Sequence, residues 1–263
     1  ECGIALLRLL KPLSYYQDKY GTALYGLNKM YLLMQKQVNR GQDGAGLVNI
    51  KIDTDPGRPY ISRRRSVEQN SIQDVFLKIS ENFKKIKKLY PKEFNNAQWL
   101  KENCSFMGEL FLGHLRYGTY GGNSISQCHP FLRQNNWKSR NLVLAGNFNM
   151  TNVEELFNQL VDLGQHPKEK SDTITILEKI GHFTDEENAR LYHEYKSTNR
   201  TNTEISKLIE TNLDLGNILT NASKKWDGGY VLSGLIGHGD AFALRDPHGI
   251  RPAYYYCDEE IAV

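Results

Sequence analysis

The sequence predicts an α+β fold in which two layers of mainly antiparallel sheet are flanked by helices. Its predicted elements run in the order strands, helices and then strands again, unlike the repeated β–α alternation of a doubly wound sheet. The last part of the chain, GGYVLSGLIGHGDAFALRDPHGIRPAYYYCDEEIAV at 228–263, alternates apolar runs with Gly, Asp and Pro. That alternation is typical of a meander of antiparallel strands.

The N-terminal part is predicted to begin with a strand, a helix and a second strand. The apolar run CGIALLRLL at 2–10 predicts a buried strand. Apolar residues at three- and four-residue steps in 22–41 predict a helix ending near Gly41, and GAGLVNIKID at 44–53 predicts the next strand. Residues 53–70 contain turn residues and the basic run RRR, so we expect a solvated loop there.

Helices dominate the prediction for the middle of the chain. Residues 71–90 have an amphipathic helical pattern, and a shorter helical piece is predicted near Trp99. Thr151 and Glu154 have the spacing of a capping box at the start of a later helix. The other predicted strands lie at 110–120 and 141–148, and the other predicted helices at 151–164, 171–183, 185–196 and 204–222.

Composition and charge narrow the functional classes. The 263 residues carry 33 basic and 30 acidic side chains, a formal net charge of +3, which gives no support for nucleic acid as the main partner. No apolar run is long enough to cross a bilayer, so no membrane partner is expected. The four cysteines include no CxxC pair, which argues against a disulfide framework or a zinc site. The simplest expectation is a cytoplasmic protein with no metal site in these residues.

Cys2 is a candidate nucleophile because of its position, one residue from the start of the sequence. A thiol reacts as its thiolate and needs a nearby base. An α-amino group has a pKa of about 7.7–8.0, so a cysteine at a true N-terminus carries a suitable base on its own backbone. Removal of Glu1 would create that terminus. The alternative is that Cys2 is only a small apolar residue of a buried strand.

Six sequence motifs occur in the same order as in a known protein family. Together they resemble the glutaminase domain of the amidophosphoribosyltransferases, which are N-terminal-nucleophile (class II) glutamine amidotransferases. The resemblance covers nearly the whole chain, and the ending RDPHGIRP is more similar to the purine-pathway branch than to other branches. The motifs are ECG (1–3), NRGQDGAG (39–46), GHLRYGTYGG (113–122), LAGNFNMTN (144–152), KSDTITIL (170–177) and ALRDPHGIRP (243–252).

The resemblance implies a four-layer αββα sandwich of two mainly antiparallel sheets, the N-terminal-nucleophile hydrolase fold. Residues 1–263 are then one glutaminase domain, and the phosphoribosyltransferase domain is expected beyond Val263. Because relatives expose the nucleophile by trimming, Glu1 is expected to be removed. The segment at 66–107 is longer than the family's usual connection, and the sequence does not decide between a helical cover and an interface.

The resemblance also assigns roles to three residues. Cys2 matches the nucleophile that attacks the glutamine side-chain amide to form a thioester and release ammonia. Arg116 matches the arginine that binds the glutamine α-carboxylate, a role that suits paired guanidinium donors. Asp172 matches the carboxylate that holds the α-ammonium. The alternatives are a surface arginine after a strand for Arg116 and a helix N-cap for Asp172.

The oxyanion hole departs from the family pattern. Asn147 matches the residue whose side-chain amide stabilises the oxyanion, or else it is an ordinary turn residue at a strand end. The family's usual His-Asn-Gly is Gly146, Asn147 and Phe148 here, so the second donor would be the backbone N–H of Phe148. If that position needs a positive φ, Phe148 is strained by about 1–2 kcal/mol. Arg40 and Thr119 match positions that line the glutamine pocket.

The function expected from the resemblance is hydrolysis of L-glutamine through Cys2, with the ammonia used to form phosphoribosylamine from phosphoribosyl diphosphate. Two alternatives stay open: a glutaminase that serves another acceptor, and a catalytically silent domain for glutamine binding or assembly. No cofactor is expected in this domain. Mg²⁺ is expected for the phosphoribosyltransferase half, and an iron–sulfur cluster is undecided. The partners implied by the resemblance are that half and further copies of the chain.

Overall fold

The computed structural model describes residues 1–118 and 124–263, and in it the chain divides into two units. The first unit contains Glu1–Pro130 and Tyr254–Val263. The second unit contains Phe131–Ala253. The last ten residues of the sequence therefore return to the unit that contains its first residue.

The first unit is built on a five-stranded sheet. Its strands are β1 (Gly3–Leu9), β2 (Gly44–Ile50), β3 (Ile61–Ser66), β4 (Leu110–Arg116) and β9 (Ile261–Ala262). They are arranged in the order β3-β2-β4-β1-β9, and neighbouring strands are antiparallel. The central strand β4 thus connects β1, which follows Cys2, to β2, which follows the NRGQ motif.

Helices cover one face of this sheet. They are α1 (Leu13–Tyr20), α2 (Tyr25–Lys36), α3 (Ser71–Leu89) and α4 (Ala97–Asn103). Side chains alternate between the two faces of a strand, so every second residue of β1, β2 and β4 points to the helices. Leu7, Leu47 and Phe111 are buried there against Met30 and Val75. The alternate residues of these strands, Arg116 among them, occupy the opposite face.

The second unit repeats the sheet-and-helix arrangement with a different topology. Its strands are β5 (Phe131–Arg133), β6 (Leu142–Met150), β7 (Gly228–Ile236) and β8 (Ala241–Arg245), antiparallel in the order β5-β6-β7-β8. Its helices are α5 (Val153–Asp162), α6 (Asp172–Lys196), α7 (Asn202–Asn212) and α8 (Leu215–Ser223). Leu142, Leu144 and Leu232 pack with Ile176 and Ile180 in the core of this unit.

These features confirm the predicted α+β class with two mainly antiparallel sheets. The strands predicted at 2–10, 44–53 and 141–148 are present as β1, β2 and β6. The meander predicted over 228–263 is present only in its first part. β7 and β8 form a hairpin closed by a hydrogen bond from the Ile236 N–H to the Asp240 carbonyl (2.8 Å), whereas 246–260 contains no strand and β9 pairs with β1 in the first sheet. Gly239 in that turn has φ +122°, which glycine adopts without strain.

The predicted loop at 53–70 is partly wrong, because it contains β3. Ile61–Ser66 pairs with β2 from Ile50 to Ala45 without a break. The basic run RRR lies in this strand at the edge of the sheet, where polar side chains occupy both faces and hide the two-residue alternation. Arg65 donates a hydrogen bond to the Cys128 carbonyl (2.8 Å), so part of the run is tied down.

Several helix ends differ from the predictions. The helix predicted to end near Gly41 ends at Lys36, and 204–222 is divided into α7 and α8 by Leu213 and Asp214. The segments 171–183 and 185–196 are one continuous helix, α6. The predicted capping box is absent because the Thr151 hydroxyl donates to the Asp227 carboxylate instead.

Candidate active site

Cys2 and Arg116 are brought together by the pairing of β1 with β4. The register sets Gly3 opposite Leu115, so its continuation by one residue places Cys2 opposite Arg116. Opposite residues of an antiparallel pair project to the same face of a sheet. Leu115 belongs to the helix-side core, so Cys2 and Arg116 lie on the other face.

Arg116 is buried and held in place at the end of β4. Its guanidinium donates a hydrogen bond to the Gln127 side-chain oxygen (2.8 Å), and its carbonyl accepts one from the Asp43 N–H (3.0 Å). A Cβ on Gly41 would collide with the carbonyl oxygens of Leu115 and Arg116, so the chain approaches β4 closely there. These contacts fix the origin and direction of a guanidinium that could bind a carboxylate.

Arg40 contacts the first two residues of the chain. It ends a short 3₁₀ turn, Val38–Arg40. Its Nε donates to the Cys2 carbonyl (3.4 Å), and its terminal nitrogen is 2.6 Å from the Glu1 carboxylate in a half-exposed ion pair. The structure therefore brings this predicted pocket residue to the candidate nucleophile, and also to the residue that precedes it.

The segment 128–130 covers part of the same face. The thiol of Cys128 donates to the Ala45 carbonyl (3.4 Å), and a Cβ on Gly46 would collide with the His129 carbonyl oxygen. The glycines of GAG in 44–46 therefore permit close approach of 128–130 to β2. Gln127, which holds Arg116, has no distinguishing signal in the sequence.

Cys128 and His129 do not form a catalytic pair. Burial raises the pKa of the Cys128 thiol to about 11, so the thiol stays protonated. The His129 ring stacks on His114 with centroids 4.2 Å apart, and burial holds its pKa well below the usual range. A neutral, stacked imidazole beside a protonated thiol is a packing arrangement. Cys2 remains the candidate nucleophile of this unit.

In the second unit, Asn147 and Phe148 occupy opposite faces of β6. Asn147 is buried and pairs with Val231 of β7, whereas Phe148 packs against the helix-side core. The aromatic ring of Phe148 lies over Gly146, where a Cβ would collide with it. Gly146 and Phe148 are therefore one coupled departure from the family's His-Asn-Gly, in which the large and small residues have exchanged places around Asn147.

The strain that a positive φ would impose on Phe148 is absent. Among the described residues other than glycine, a positive φ occurs at Asp53, Phe106 and Asn199. β6 stays in register with β7 through Met150, opposite Gly228, without a bulge. Phe148 is thus accommodated in ordinary extended backbone, and the strand is not displaced to relieve it.

Asp172 is the first residue of α6 but is not its cap. Ser171 is the N-cap, and its hydroxyl accepts a hydrogen bond from the Ile174 N–H (3.4 Å). The N-cap alternative for Asp172 is therefore wrong. Burial raises the pKa of the Asp172 carboxyl, partly offset by hydrogen bonds from Thr173, whose N–H lies 2.8 Å from Oδ1. A cation bound beside this carboxylate would relieve that burial cost.

The predicted site residues are thus divided between the units. Cys2, Arg40 and Arg116 lie in the first unit, where Arg40 contacts Cys2 and the extended β1–β4 register sets Cys2 opposite Arg116. Asn147, Phe148 and Asp172 lie in the second unit. Thr119 lies outside the described residues. Within the described ranges, no cluster of three or more His, Cys, Asp and Glu side chains is arranged to hold a metal ion. The helices described also include none with the length and apolar character needed to span a membrane.

Curated relatives of this chain are amidophosphoribosyltransferases. The chain is 28% identical to the one from Escherichia coli over 216 residues, 81% of this chain and 33% of the relative. It is 26% identical to the one from Pseudomonas aeruginosa over 219 residues, 82% and 33%. With the Schizosaccharomyces pombe protein the identity is 26% over 255 residues, 95% and 36%. The chain thus spans about a third of the length of these relatives. No family model matches it.

A solved structure has a similar fold. It is the glutamine phosphoribosylpyrophosphate amidotransferase of B. subtilis, complexed with ADP and GMP, with a TM-score of 0.53 and 20% identity. The match covers 98% of this chain and 41% of that one. This likeness concerns the fold, and it agrees with the predicted α+β architecture of two mainly antiparallel sheets. In sequence the chain is similar to amidophosphoribosyltransferases, and in fold it is similar to a glutamine phosphoribosylpyrophosphate amidotransferase.

Proposed function

We propose that this chain hydrolyses L-glutamine to glutamate and ammonia, with Cys2 as the nucleophile. The observation that carries the proposal is the β1–β4 register, which sets Cys2 beside Arg116 on one face of the first sheet. A nucleophile next to a carboxylate-binding guanidinium suits an amino acid whose reacting amide lies a few bonds from its α-carboxylate. The relationship to glutamine amidotransferases supports the same substrate.

The first chemical step is attack on the side-chain amide. The free α-amino group of Cys2 takes the proton from Sγ, and the sulfur forms a bond to the amide carbon. The electron pair of the carbonyl moves to oxygen, and the resulting oxyanion accepts hydrogen bonds from the Asn147 side chain and the Phe148 N–H. Fixed donors at this point stabilise the intermediate more than the planar amide.

The second step releases ammonia. The α-ammonium group returns its proton to the amide nitrogen, the C–N bond breaks, and ammonia departs from a glutamyl thioester. A water molecule then gives a proton to the same amine and attacks the thioester carbon. The tetrahedral intermediate formed by this attack breaks down by cleavage of its C–S bond, and the amine returns the proton to sulfur. The products are glutamate and the restored Cys2 thiol.

Substrate selection is assigned to the two charged groups that bind an α-amino acid. Arg116, fixed by Gln127, binds the α-carboxylate through paired N–H donors. Asp172 binds the α-ammonium, which offsets the burial that raises the pKa of its carboxyl. Arg40 and Thr119 are proposed to line the same pocket.

The mature N-terminus is part of this proposal. While Glu1 is attached, the nitrogen of Cys2 is a peptide amide and cannot take the thiol proton. The Glu1 carboxylate is also paired with Arg40, a proposed pocket residue. We therefore assign activity to the form that begins at Cys2.

The acceptor of the ammonia is assigned from the relatives. Their printed names describe amidophosphoribosyltransferases, so the whole protein is proposed to form phosphoribosylamine from phosphoribosyl diphosphate. The phosphoribosyltransferase part, with its Mg²⁺, is assigned to sequence outside residues 1–263. Association with that part and with further copies of the chain belongs to the same proposal.

The test is glutamate and ammonia release by protein that begins at Cys2. Wild type should turn over glutamine, and Cys2→Ala should lose at least about a thousandfold in kcat, as expected when a covalent nucleophile is removed. Cys257→Ala is the matched control, since Cys257 is an exposed thiol and should be dispensable. Full activity of Cys2→Ala, or no turnover by wild type with its synthase part present, would overturn the proposal.

A further inference from the structure

A groove of about 600 Å³ lies in the first unit, away from the predicted glutamine site. Its walls come from β3, from α3 and from the residues that follow α4. These elements belong largely to the 66–107 segment that the family resemblance leaves without a role. The volume is in the range of pockets that bind small molecules.

Lys51 is the central observation in this groove. It directly follows β2, its backbone N–H donates to the Tyr60 carbonyl (2.9 Å), and it lines the groove with only 4% of its surface exposed. No hydrogen bond or ion pair joins its ammonium to another residue in the described part of the chain. Burial lowers the pKa of Lys51, and the Glu109 carboxylate, which is paired with Lys101, offsets this only in part.

An ammonium in that position costs folding free energy, because burial removes much of its water and no hydrogen bond from the protein replaces it. Packing alone would be better served by an apolar side chain of similar length. The cost is compensated when an anion occupies the groove.

The other charges of the groove favour an anion. Arg64 lies opposite Leu47, which places it on the same helix-side face as Lys51, and Lys85 lines the α3 wall. The carboxylates of the lining are Glu81 and Glu102, and Glu102 is already paired with Arg58 (3.4 Å).

Lys78 also lines the groove but is neutralised by Asp74 (2.8 Å). Arg63 is partly engaged by the Pro130 carbonyl (3.4 Å). After these pairs are set aside, positive charge exceeds negative charge in the lining.

Part of the wall is apolar. Ile61, Ile79 and Phe106 line the groove, and the Phe106 N–H donates to the Ser62 hydroxyl (3.2 Å), which ties the α4 end to β3. We propose that this groove binds a small organic phosphate, with its phosphate on Lys51 and Arg64 and its organic part against the apolar wall. The site is separate from glutamine hydrolysis and does not depend on it.

The test measures binding of phenyl phosphate and of inorganic phosphate by calorimetry at constant ionic strength, using the full protein. Wild type should bind phenyl phosphate saturably and at least about tenfold more tightly than inorganic phosphate, since the ring buries apolar surface. Equal affinities would overturn the assignment of an organic ligand. Absence of saturable binding would overturn the site itself.

Three variants locate the binding. Lys51→Met should weaken phenyl phosphate binding by about tenfold or more, and Arg64→Gln should weaken it by a smaller factor, as expected from loss of charge-assisted hydrogen bonds. Lys84→Met is the matched control, because Lys84 is an exposed lysine of α3 that does not line the groove. If Lys84→Met weakened phenyl phosphate binding as much as Lys51→Met, the effect would come from the net charge of the protein and the proposal would be overturned.

A stability measurement completes the test. Without ligand, Lys51→Met should melt at the same temperature as wild type or higher, because it removes an uncompensated buried ammonium. With phenyl phosphate, wild type should gain in melting temperature more than the variant. A ligand-free variant that is clearly less stable would contradict the inference, since Lys51 would then have a structural partner.

Discussion

The candidate site has two regions that are held in different ways. One lies where β1 starts and β4 ends in the first unit, and the other lies in β6 of the second unit. Around Cys2 and Arg116, contacts come from outside the sheet, through Arg40 and Gln127. The position of Asn147 is set by the pairing of β6 with β7 and by the packing of the Phe148 ring over Gly146. In the first region several separate contacts hold the site, so the loss of one leaves the others in place. In the second region the strand depends on the fit of the Phe148 ring over Gly146.

This difference predicts where a substitution changes chemistry and where it changes stability. A side chain held by separate hydrogen-bond partners can be altered without moving the backbone. A strand position that depends on a neighbouring glycine cannot accept a larger residue without adjustment. The experiments below separate these outcomes, and each uses protein that begins at Cys2.

Asn147→Ala is expected to have the largest effect in the β6 region. Loss of one oxyanion donor should lower kcat by about 10²–10³ with little change in KM, because the donor acts on the intermediate. Asn149→Ala is the matched control, since Asn149 is an exposed asparagine two residues further along β6. Similar kinetics for the two variants would remove Asn147 from the oxyanion hole.

Arg116→Lys probes the β4 end. Lysine keeps the charge but loses the planar pair of donors and the bond to Gln127, so kcat/KM for glutamine should fall by about 10–10². The loss should be mainly in KM, with melting temperature nearly unchanged. Steady-state kinetics with varied glutamine measures this, and an unaltered KM would contradict the assignment of Arg116 to the α-carboxylate.

Gly146→Ala should act on stability. Its Cβ collides with the Phe148 ring, so unfolding free energy should fall by about 1–3 kcal/mol. The same substitution in a Phe148→Ala background should cost less, with a coupling of about 0.5–3 kcal/mol in a double-mutant cycle. Denaturant unfolding gives all four values. Additive costs would show that the two positions are independent.

Ser171→Ala and Asp172→Asn separate capping from substrate binding at the start of α6. Ser171→Ala should cost about 1 kcal/mol of stability at any pH and leave KM for glutamine unchanged. Asp172→Asn should raise KM and should not lower the stability of the ligand-free protein. The reverse pattern would restore the capping role to Asp172.

The effect of pH on the stability difference between wild type and Asp172→Asn has a defined sign. Burial raises the folded pKa of Asp172, so wild-type stability falls as pH rises from the unfolded value of about 3.9 through the folded one. Asp172→Asn removes this dependence, and its stability relative to wild type should therefore improve between acid and neutral pH. Thermal melts at about pH 3.5 and pH 7 measure the change.

The sequence predicted the strands and helices that have a clear apolar pattern. It did not predict elements whose form depends on tertiary contacts. β1, β2 and β6 follow from their apolar runs. β3 was missed because an edge strand of arginines has no apolar alternation. α6 continues through Gly181, where a Cβ would collide with the Arg133 side chain, and no local signal in the sequence reveals that contact.

The same distinction holds for the candidate site. The ordered motifs supplied its residues, but not their geometry. The pairing of Gly3 with Leu115 joins distant parts of the sequence, and only the folded sheet shows that Cys2 and Arg116 are neighbours. The sequence raised a possible strain at Phe148, and the ordinary backbone of β6 removes it. Gln127 and the buried Lys51 were not anticipated because each is defined by its surroundings.

The account depends on a backbone amine at Cys2, and one comparison tests that requirement directly. Protein beginning at Cys2 and protein in which Glu1 is retained should be assayed for glutamate release at equal concentration, with intact mass confirming each N-terminus. We expect turnover and covalent labelling of Cys2 by a glutamine-like electrophile in the first, and neither in the second. Equal turnover by protein that still carries Glu1 would contradict the account.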